Sequence, residues 1–153
     1  MNRHYDGEKV RDVLSKLRAL KRTDGVTLNI GADLIVGFPG ESEADFEDTR
    51  EIVETYMISQ LHAFPFSPHV DHYSVPAGSF PDQVPAHIRD ARQKILLETG
   101  KLAFTQFATE SLGKKLRLLV EKNAGETFSG WSENYLFINE TNFIEYPQEA
   151  IAR

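Results

Sequence analysis

The sequence predicts an α/β fold, a parallel sheet with crossover helices, followed by a small all-β region. Three observations carry this. Between Gly7 and Leu112, segments with helical apolar spacing alternate with strand-like runs, in the order helix, strand, helix, strand, helix. The first strand-like run ends in Leu34-Ile35-Val36 and then breaks at Gly37-Phe38-Pro39-Gly40. After Gly113 the pattern changes to period two, with Leu116, Leu118 and Val120 alternating with Arg117, Leu119 and Glu121.

The first helix is expected from Gly7 to Leu20. Asp6 is its cap, and Val10, Val13, Leu14, Leu17 and Leu20 form its apolar stripe. Lys21 to Gly25 is a turn in which Gly25 suits a positive φ. The strand that follows lies within 26–36, and its unbroken apolar end suits burial on both faces. Phe38 to Glu41 reads as a rigid corner: Pro39 fixes one dihedral, and glycine lets the backbone approach another molecule closely. Ser42 is the next N-cap, with Asp45 completing an acidic variant of the capping box.

The second helix, Glu43 to Met57, turns Phe46, Ile52, Val53 and Tyr56 inward. In the second strand, Gln60 to Phe66, Leu61, Ala63 and Pro65 alternate with His62, Phe64 and Phe66. Pro65 lacks an amide hydrogen and suits a strand with one unpaired edge. A proline-rich loop from Ser67 to Pro85 leads to the third helix, Ala86 to Leu112. Its expected inner stripe is Ile88, Ala91, Ile95, Leu96, Leu102, Phe107 and Leu112, with a kink at Gly100 and Gly113 at the C′ position. Asn123 to Glu126 turns, and Thr127 to Trp131 and Tyr135 to Ile138 are further short strands.

Composition places the chain among globular domains, with 41% hydrophobic and 26% charged residues in 153. No apolar run approaches a membrane span and no basic-then-apolar leader is present, so no membrane partner is expected and the default compartment is the cytoplasm. The net charge of −6 disfavours a chain built mainly to hold nucleic acid. Seven of the carboxylates lie between Glu41 and Glu54, which reads as a solvated helix face with any RNA contacts elsewhere. Walker and dinucleotide glycine patterns and the nucleophile elbow are absent.

Ligands of α/β sheets bind outside the carboxyl ends of strands, which is where the Gly37–Glu41 corner stands. On shape alone the corner reads equally as a βα turn with no ligand. His62 reads either as a hydrogen-bonded core histidine or as a pocket neighbour. Lys114, Lys115 and Arg117 beside Trp131, Tyr135 and Phe137 carry the cations and rings an RNA surface uses, or the rings are core.

The residues also carry a resemblance. Asp33-Leu-Ile-Val-Gly-Phe-Pro-Gly-Glu41, with Asp45-Phe46 behind it, resembles the fifth-strand motif of radical S-adenosylmethionine (radical SAM) enzymes, specifically the tRNA methylthiotransferases. Met1-Asn-Arg-His-Tyr5 resembles the helix start after that family's fourth strand, and Leu61-His-Ala-Phe-Pro-Phe-Ser-Pro68 its sixth strand. Gly113-Lys-Lys-Leu-Arg-Leu-Leu-Val-Glu121, then Gly130-Trp-Ser-Glu-Asn-Tyr-Leu136, resembles the opening of its C-terminal TRAM domain. Among subfamilies, the threonylcarbamoyladenosine tRNA methylthiotransferases look most similar. The chain departs from the family pattern at Ser67-Pro68-His69, where Ser-Pro-Arg is usual, and at Tyr73-Ser74-Val75-Pro76-Ala77, where Gly-Thr-Pro-Ala is usual.

The resemblance implies a C-terminal fragment: residues 1–112 as the last two parallel strands of a partial (β/α) barrel, and 113–153 as a truncated TRAM-like RNA-binding domain. It implies addition of a methylthio group to carbon 2 of a modified adenosine near the anticodon of tRNA. S-adenosylmethionine and 4Fe-4S clusters would serve the full-length enzyme. The chain has no cysteine, and thiolates hold such clusters, so it is expected to bind none and to be inactive alone. By resemblance the cofactor-binding residues are Asp33, Ile35, Gly37, Phe38, Pro39, Gly40, Glu41, His62, Phe64 and Phe66, and the RNA-binding residues are Lys114, Lys115, Arg117, Trp131 and Tyr135. Arg3 and His4 would face cofactor or substrate, and no catalytic or metal-ligating residue is assigned. An uncovered barrel edge would lead the chain to self-associate. A methylthiotransferase acting on a ribosomal protein, another radical SAM enzyme, and a non-catalytic RNA-binding or scaffold module remain as alternatives.

Overall fold

The computed structural model of the chain describes residues 4–67, 76–124, 127–139 and 144–145. Helix α1 spans Gly7–Ala19, strand β1 Gly31–Val36, helix α2 Glu43–Thr55 and strand β2 Gln60–Pro65. A 3-10 turn at Pro76–Ser79 precedes the long helix α3, Ala86–Ser111. Strands β3 (Leu118–Ala124), β4 (Thr127–Ser132), β5 (Phe137–Ile138) and β6 (Ile144–Glu145) complete the described chain.

The helix starts are built as the residues dictate. The Asp6 carboxylate accepts from the Lys9 amide at 2.9 Å, and Ser42 and Asp45 form a reciprocal capping box. Gly25 has φ +72° and Gly113 has φ +72°, the left-handed conformation expected of both.

Strands β1 and β2 pair in parallel, Gly31 opposite Gln60 through Val36 opposite Pro65. The α2 crossover between them is the unit a parallel pair needs. The helices cover one face of this pair. Leu14 of α1, Phe46 and Val53 of α2 and Leu96 of α3 pack with Val36, Leu61 and Ala63 in one buried cluster. Burying each such side chain is worth about 1.5–3 kcal/mol. The other face is open: Ile35 is 42% exposed and Phe64 51%. The unbroken apolar run of β1 is therefore covered on one side only among the described residues, not on both.

Helix α3 also corrects the sequence reading. Its buried face is Arg92, Leu96, Thr99, Gly100, Ala103, Phe104, Phe107 and Ser111, whereas Ile95, Leu102 and Leu112 are exposed. Gly100 sits within the unbroken helix, and a Cβ there would lie 2.9 Å from Leu61 Cβ. Glycine at this position admits β2 against the helix. In α1, likewise, Val13 and Leu20 lie outside the apolar stripe, at 44% and 63% exposure.

The second sheet is antiparallel, in the order β3-β4-β5-β6, with a register shift between Val120 and Lys122. Strand β6 has no counterpart in the sequence reading. This sheet shares a buried cluster with α3, in which Ala103, Phe104 and Phe107 meet Met57 and Leu136. No helix among the described residues is long and apolar enough to cross a membrane.

Candidate functional site

At the carboxyl end of β1 the chain reverses in a tight turn. The Glu41 amide donates to the Phe38 carbonyl at 2.9 Å, with Gly40 at φ +86°. Pro39 in the second position and a positive-φ glycine in the third are what a type II turn requires. Gly40 also donates to the Asp82 carbonyl at 2.9 Å, which ties the turn to the segment before α3.

The turn is locked by a network that begins on α3. The Glu41 carboxylate folds back to accept from the Gly37 amide at 2.7 Å. The same Oε2 takes a hydrogen bond from Arg92 Nη1 at 2.5 Å, while Arg92 Nη2 reaches Glu43 at 2.9 Å. Arg92 Nη1 also donates to the Glu41 carbonyl at 3.2 Å. The Arg92 guanidinium lies 5.2 Å from the Phe46 ring centroid, a cation–π contact. Burial works against its charge, but its hydrogen bonds to Glu43 and Glu41 and the charges of those two carboxylates together outweigh burial and hold its pKa above the ordinary value. Arg92 is 6% exposed, and its Nε is buried without an acceptor among the described residues.

Gly37 has φ +69° and carries the Arg89 side chain on its α-carbon. A Cβ there would lie 2.9 Å from Arg89 Cδ and 3.1 Å from Arg89 Cβ, with Cγ closer still. Arg89 therefore fills the space that a side chain at residue 37 would take. A Cβ at Gly40 would meet nothing within 4 Å.

The strand register brings the remaining predicted residues together. Asp33 lies opposite His62 and Ile35 opposite Phe64, all four on the open face of the β1–β2 pair, because alternate residues share a face. Phe38 and the buried Phe66 cluster at the end of this face, ring centroids 5.2 Å apart and edge-on. Phe38, Pro39 and Gly40 present backbone at the turn, whereas the Glu41 side chain is turned to Gly37 and Arg92. His62 is exposed and tilted against Phe64 at 6.5 Å, so it is not a core histidine. His4 is exposed, while Arg3 and the segment holding His69 lie outside the described residues. Among the described residues no group of three or more His, Asp or Glu side chains is arranged to hold a metal ion.

The residues predicted to meet RNA lie on and beside the second sheet. Lys114 donates to Thr27 Oγ1 at 2.6 Å, and Lys115 is exposed. Arg117 pairs with Glu133 at 2.7 Å, and the Arg117 hydrogen bond holds the Glu133 carboxyl below its ordinary pKa. Trp131 packs edge-on with Phe137 at 5.1 Å and is half-buried. Tyr135 is 63% exposed. Sequence reasoning singles out neither Arg92 nor Arg89. A charged residue at the head of a buried helical face is the only signal for Arg92.

No family profile matches the chain. A threonylcarbamoyladenosine tRNA methylthiotransferase of Rickettsia prowazekii is 36% identical over 123 residues, 80% of this chain and 27% of that protein. The protein of the same name from Chlamydia pneumoniae is 36% identical over 132 residues, 86% of this chain and 30% of that protein. A tRNA-2-methylthio-N(6)-dimethylallyladenosine synthase of Rickettsia rickettsii is 35% identical over 123 residues, 80% of this chain and 26% of that protein. The chain thus spans between 26% and 30% of the length of these curated relatives. Identity does not separate the two kinds of relative.

Proposed function

We propose that this chain, a homologue of the tRNA methylthiotransferases, supplies the last part of the cofactor wall and part of the RNA-binding surface of a radical SAM tRNA methylthiotransferase. Residues 1–112 are assigned to the barrel and 113–153 to a TRAM-like region. One observation carries the reading. Asp33, Ile35, His62 and Phe64 converge on the single face of the β1–β2 pair that the helices leave open. The Gly37–Glu41 turn stands at its carboxyl end, where α/β architectures place ligands.

The residues fit an adenosyl group. Ile35 and Phe64 offer apolar surface for an adenine, Asp33 and His62 offer polar partners beside it, and the backbone at Gly40 is unobstructed. A cluster is a different matter, because its thiolate ligands are not among this chain's residues. S-adenosylmethionine and its cluster bring the radical chemistry when bound, and the protein contributes binding, orientation and exclusion of water. Here Ile35 and Phe64 exclude water from one side, and Arg92 holds the turn rigid through Glu41. The chain alone is inactive on this reading, tRNA is the partner, and the uncovered barrel edge associates with a second copy when nothing else covers it.

The test is a chimera in which this chain replaces the matching segment of the Rickettsia prowazekii relative. Anaerobically reconstituted, the chimera is expected to add a methylthio group to tRNA, and the isolated chain to add none. A folded, cluster-loaded chimera that leaves tRNA unmodified would refute the assignment.

A further inference from the structure

The Ser132–Leu136 turn of the second sheet docks on the segment leading into β1. Asn29 Nδ2 donates to the Asn134 carbonyl at 2.9 Å, and Asn134 Nδ2 donates to the Thr27 carbonyl at 3.4 Å. Ser59 Oγ donates to Asn29 Oδ1 at 2.7 Å, so both strands of the parallel pair are tied to the same seam. Beside it lies a cleft of about 330 Å³ whose rim includes Leu17, Leu20, Lys21, Arg22, Thr27 and Leu28.

This seam concentrates positive charge in a chain whose net charge is −6. Arg18 donates to the carbonyls of Leu28, Tyr56 and Met57, which satisfy its hydrogen bonds without cancelling its charge. One carboxylate, Glu133, is shared by Arg22 at 2.9 Å and Arg117 at 2.7 Å. Asp24 takes a second hydrogen bond from Arg22 at 2.5 Å. Lys114 is spent on a neutral hydroxyl, and Lys21 and Lys115 make no hydrogen bond or ion pair with a described residue. Against these six cations the facing carboxylates among the described residues are Asp24, Glu110 and Glu133. An aromatic ring completes the surface. Tyr135 is 63% exposed and held at φ +61°, a left-handed conformation uncommon for a side chain of its size.

We infer that this seam is one RNA-binding surface, in which Lys21 and Arg22 of the α1–β1 connection meet phosphates together with Lys114, Lys115 and Arg117, and Tyr135 stacks on an unpaired base. The class of partner rests on the tRNA reading above. Surplus cations alone would suit any polyanion, but an exposed ring on the turn that carries their shared carboxylate, Glu133, suits single-stranded or looped RNA, whose bases are free to stack. The seam lies at the start of β1 and β2, whereas the Gly37–Glu41 turn lies at their end. A six-residue strand separates the two by about 20 Å. RNA is thus gripped away from the cofactor face, and the two functions are separable by mutation.

The experiment uses the chain itself and a labelled RNA stem-loop, with binding followed by fluorescence anisotropy across a salt series. Wild-type binding is expected to weaken steeply with salt. Lys21→Glu is expected to bind about five- to tenfold more weakly, with a salt slope smaller by about one or more. Lys115→Glu and Tyr135→Asn report on the sheet alone, asparagine being tolerant of the left-handed backbone. If those two weaken binding while a folded Lys21→Glu matches wild type in affinity and slope, the seam inference is overturned and the RNA reading stands. If wild type shows no salt-dependent binding, both are overturned.

Discussion

Arg92→Ala is expected to destabilise the chain by about 3–5 kcal/mol, the cost of removing one partner from a buried ion pair. Its side chain is 7% exposed and that of its partner Glu41 is 12% exposed, so neither charge is well solvated. Without Arg92 the Glu41 carboxylate keeps, among the described residues, only the Gly37 amide as a donor, and the ring of Phe46 loses the guanidinium packed on it. The bridge to Glu43 matters much less, because that carboxylate is 73% exposed and solvent screens it. At about 2–4 °C per kcal/mol for a domain of this size, the melting temperature should fall by roughly 10 °C. Urea melts of Arg92→Met, Glu41→Leu and the double variant should be strongly non-additive, with the double variant closer to wild type than the sum of the singles. An Arg92→Ala protein within about 1 kcal/mol of wild type would remove Arg92 as the anchor of the turn.

Gly37→Val is expected to cost about 3 kcal/mol or more, through two separate causes. A φ of +69° is strained for any residue with a β-carbon and most for a branched one. The added atoms would also run into the Arg89 side chain. Gly37→Ala with and without Arg89→Ala separates the causes. Truncating Arg89 should relieve most of the steric part, that of Cγ and Cδ, and leave the tight Cβ contact with about 1–2 kcal/mol of backbone strain. Equal costs in both backgrounds would show that Arg89 is not the obstruction. The resemblance counts Gly37 among the cofactor-binding residues. In the structure Arg89 occupies the space that a side chain at residue 37 would take, and Gly40 is the turn glycine that faces open space.

Features set by local chemistry are legible in the sequence itself. The Asp6 cap, the Ser42–Asp45 box, the positive φ of Gly25 and the parallel β1–α2–β2 unit depend on neighbouring residues and on strand period. The inward set Phe46, Ile52, Val53 and Tyr56 of α2 is legible for the same reason, since its apolar residues are spaced regularly. Helix α3 misleads because much of its buried face is made of small and polar residues. Gly100 lets β2 approach, and Thr99 and Ala103 are buried on the same helix, while large Leu102 and Ile95 face outward, so hydrophobicity points to the wrong side. The face of β1 that stays open is not encoded in Leu34-Ile35-Val36, since an apolar run does not say which of its sides is covered. The resemblance names the residues of the open face, and only the register shows that Asp33 and Ile35 stand opposite His62 and Phe64. Arg92 and Arg89 escape a reading of local pattern because their partners lie 51 and 52 residues away in the chain.

The proposed role of the open face of β1–β2 is to wall the S-adenosylmethionine site. It is tested most directly by Ile35→Glu in the chimera with the Rickettsia prowazekii relative, because Ile35 is 42% exposed and its replacement leaves the helix-covered core intact. Equilibrium dialysis of S-adenosylmethionine and thermal melting would be run on the same reconstituted preparation. S-adenosylmethionine is expected to bind at least about tenfold more weakly, equivalent to about 1.4 kcal/mol of binding, with the melting temperature within a few degrees of the unsubstituted chimera. An unchanged affinity in a folded, cluster-loaded Ile35→Glu chimera would contradict it.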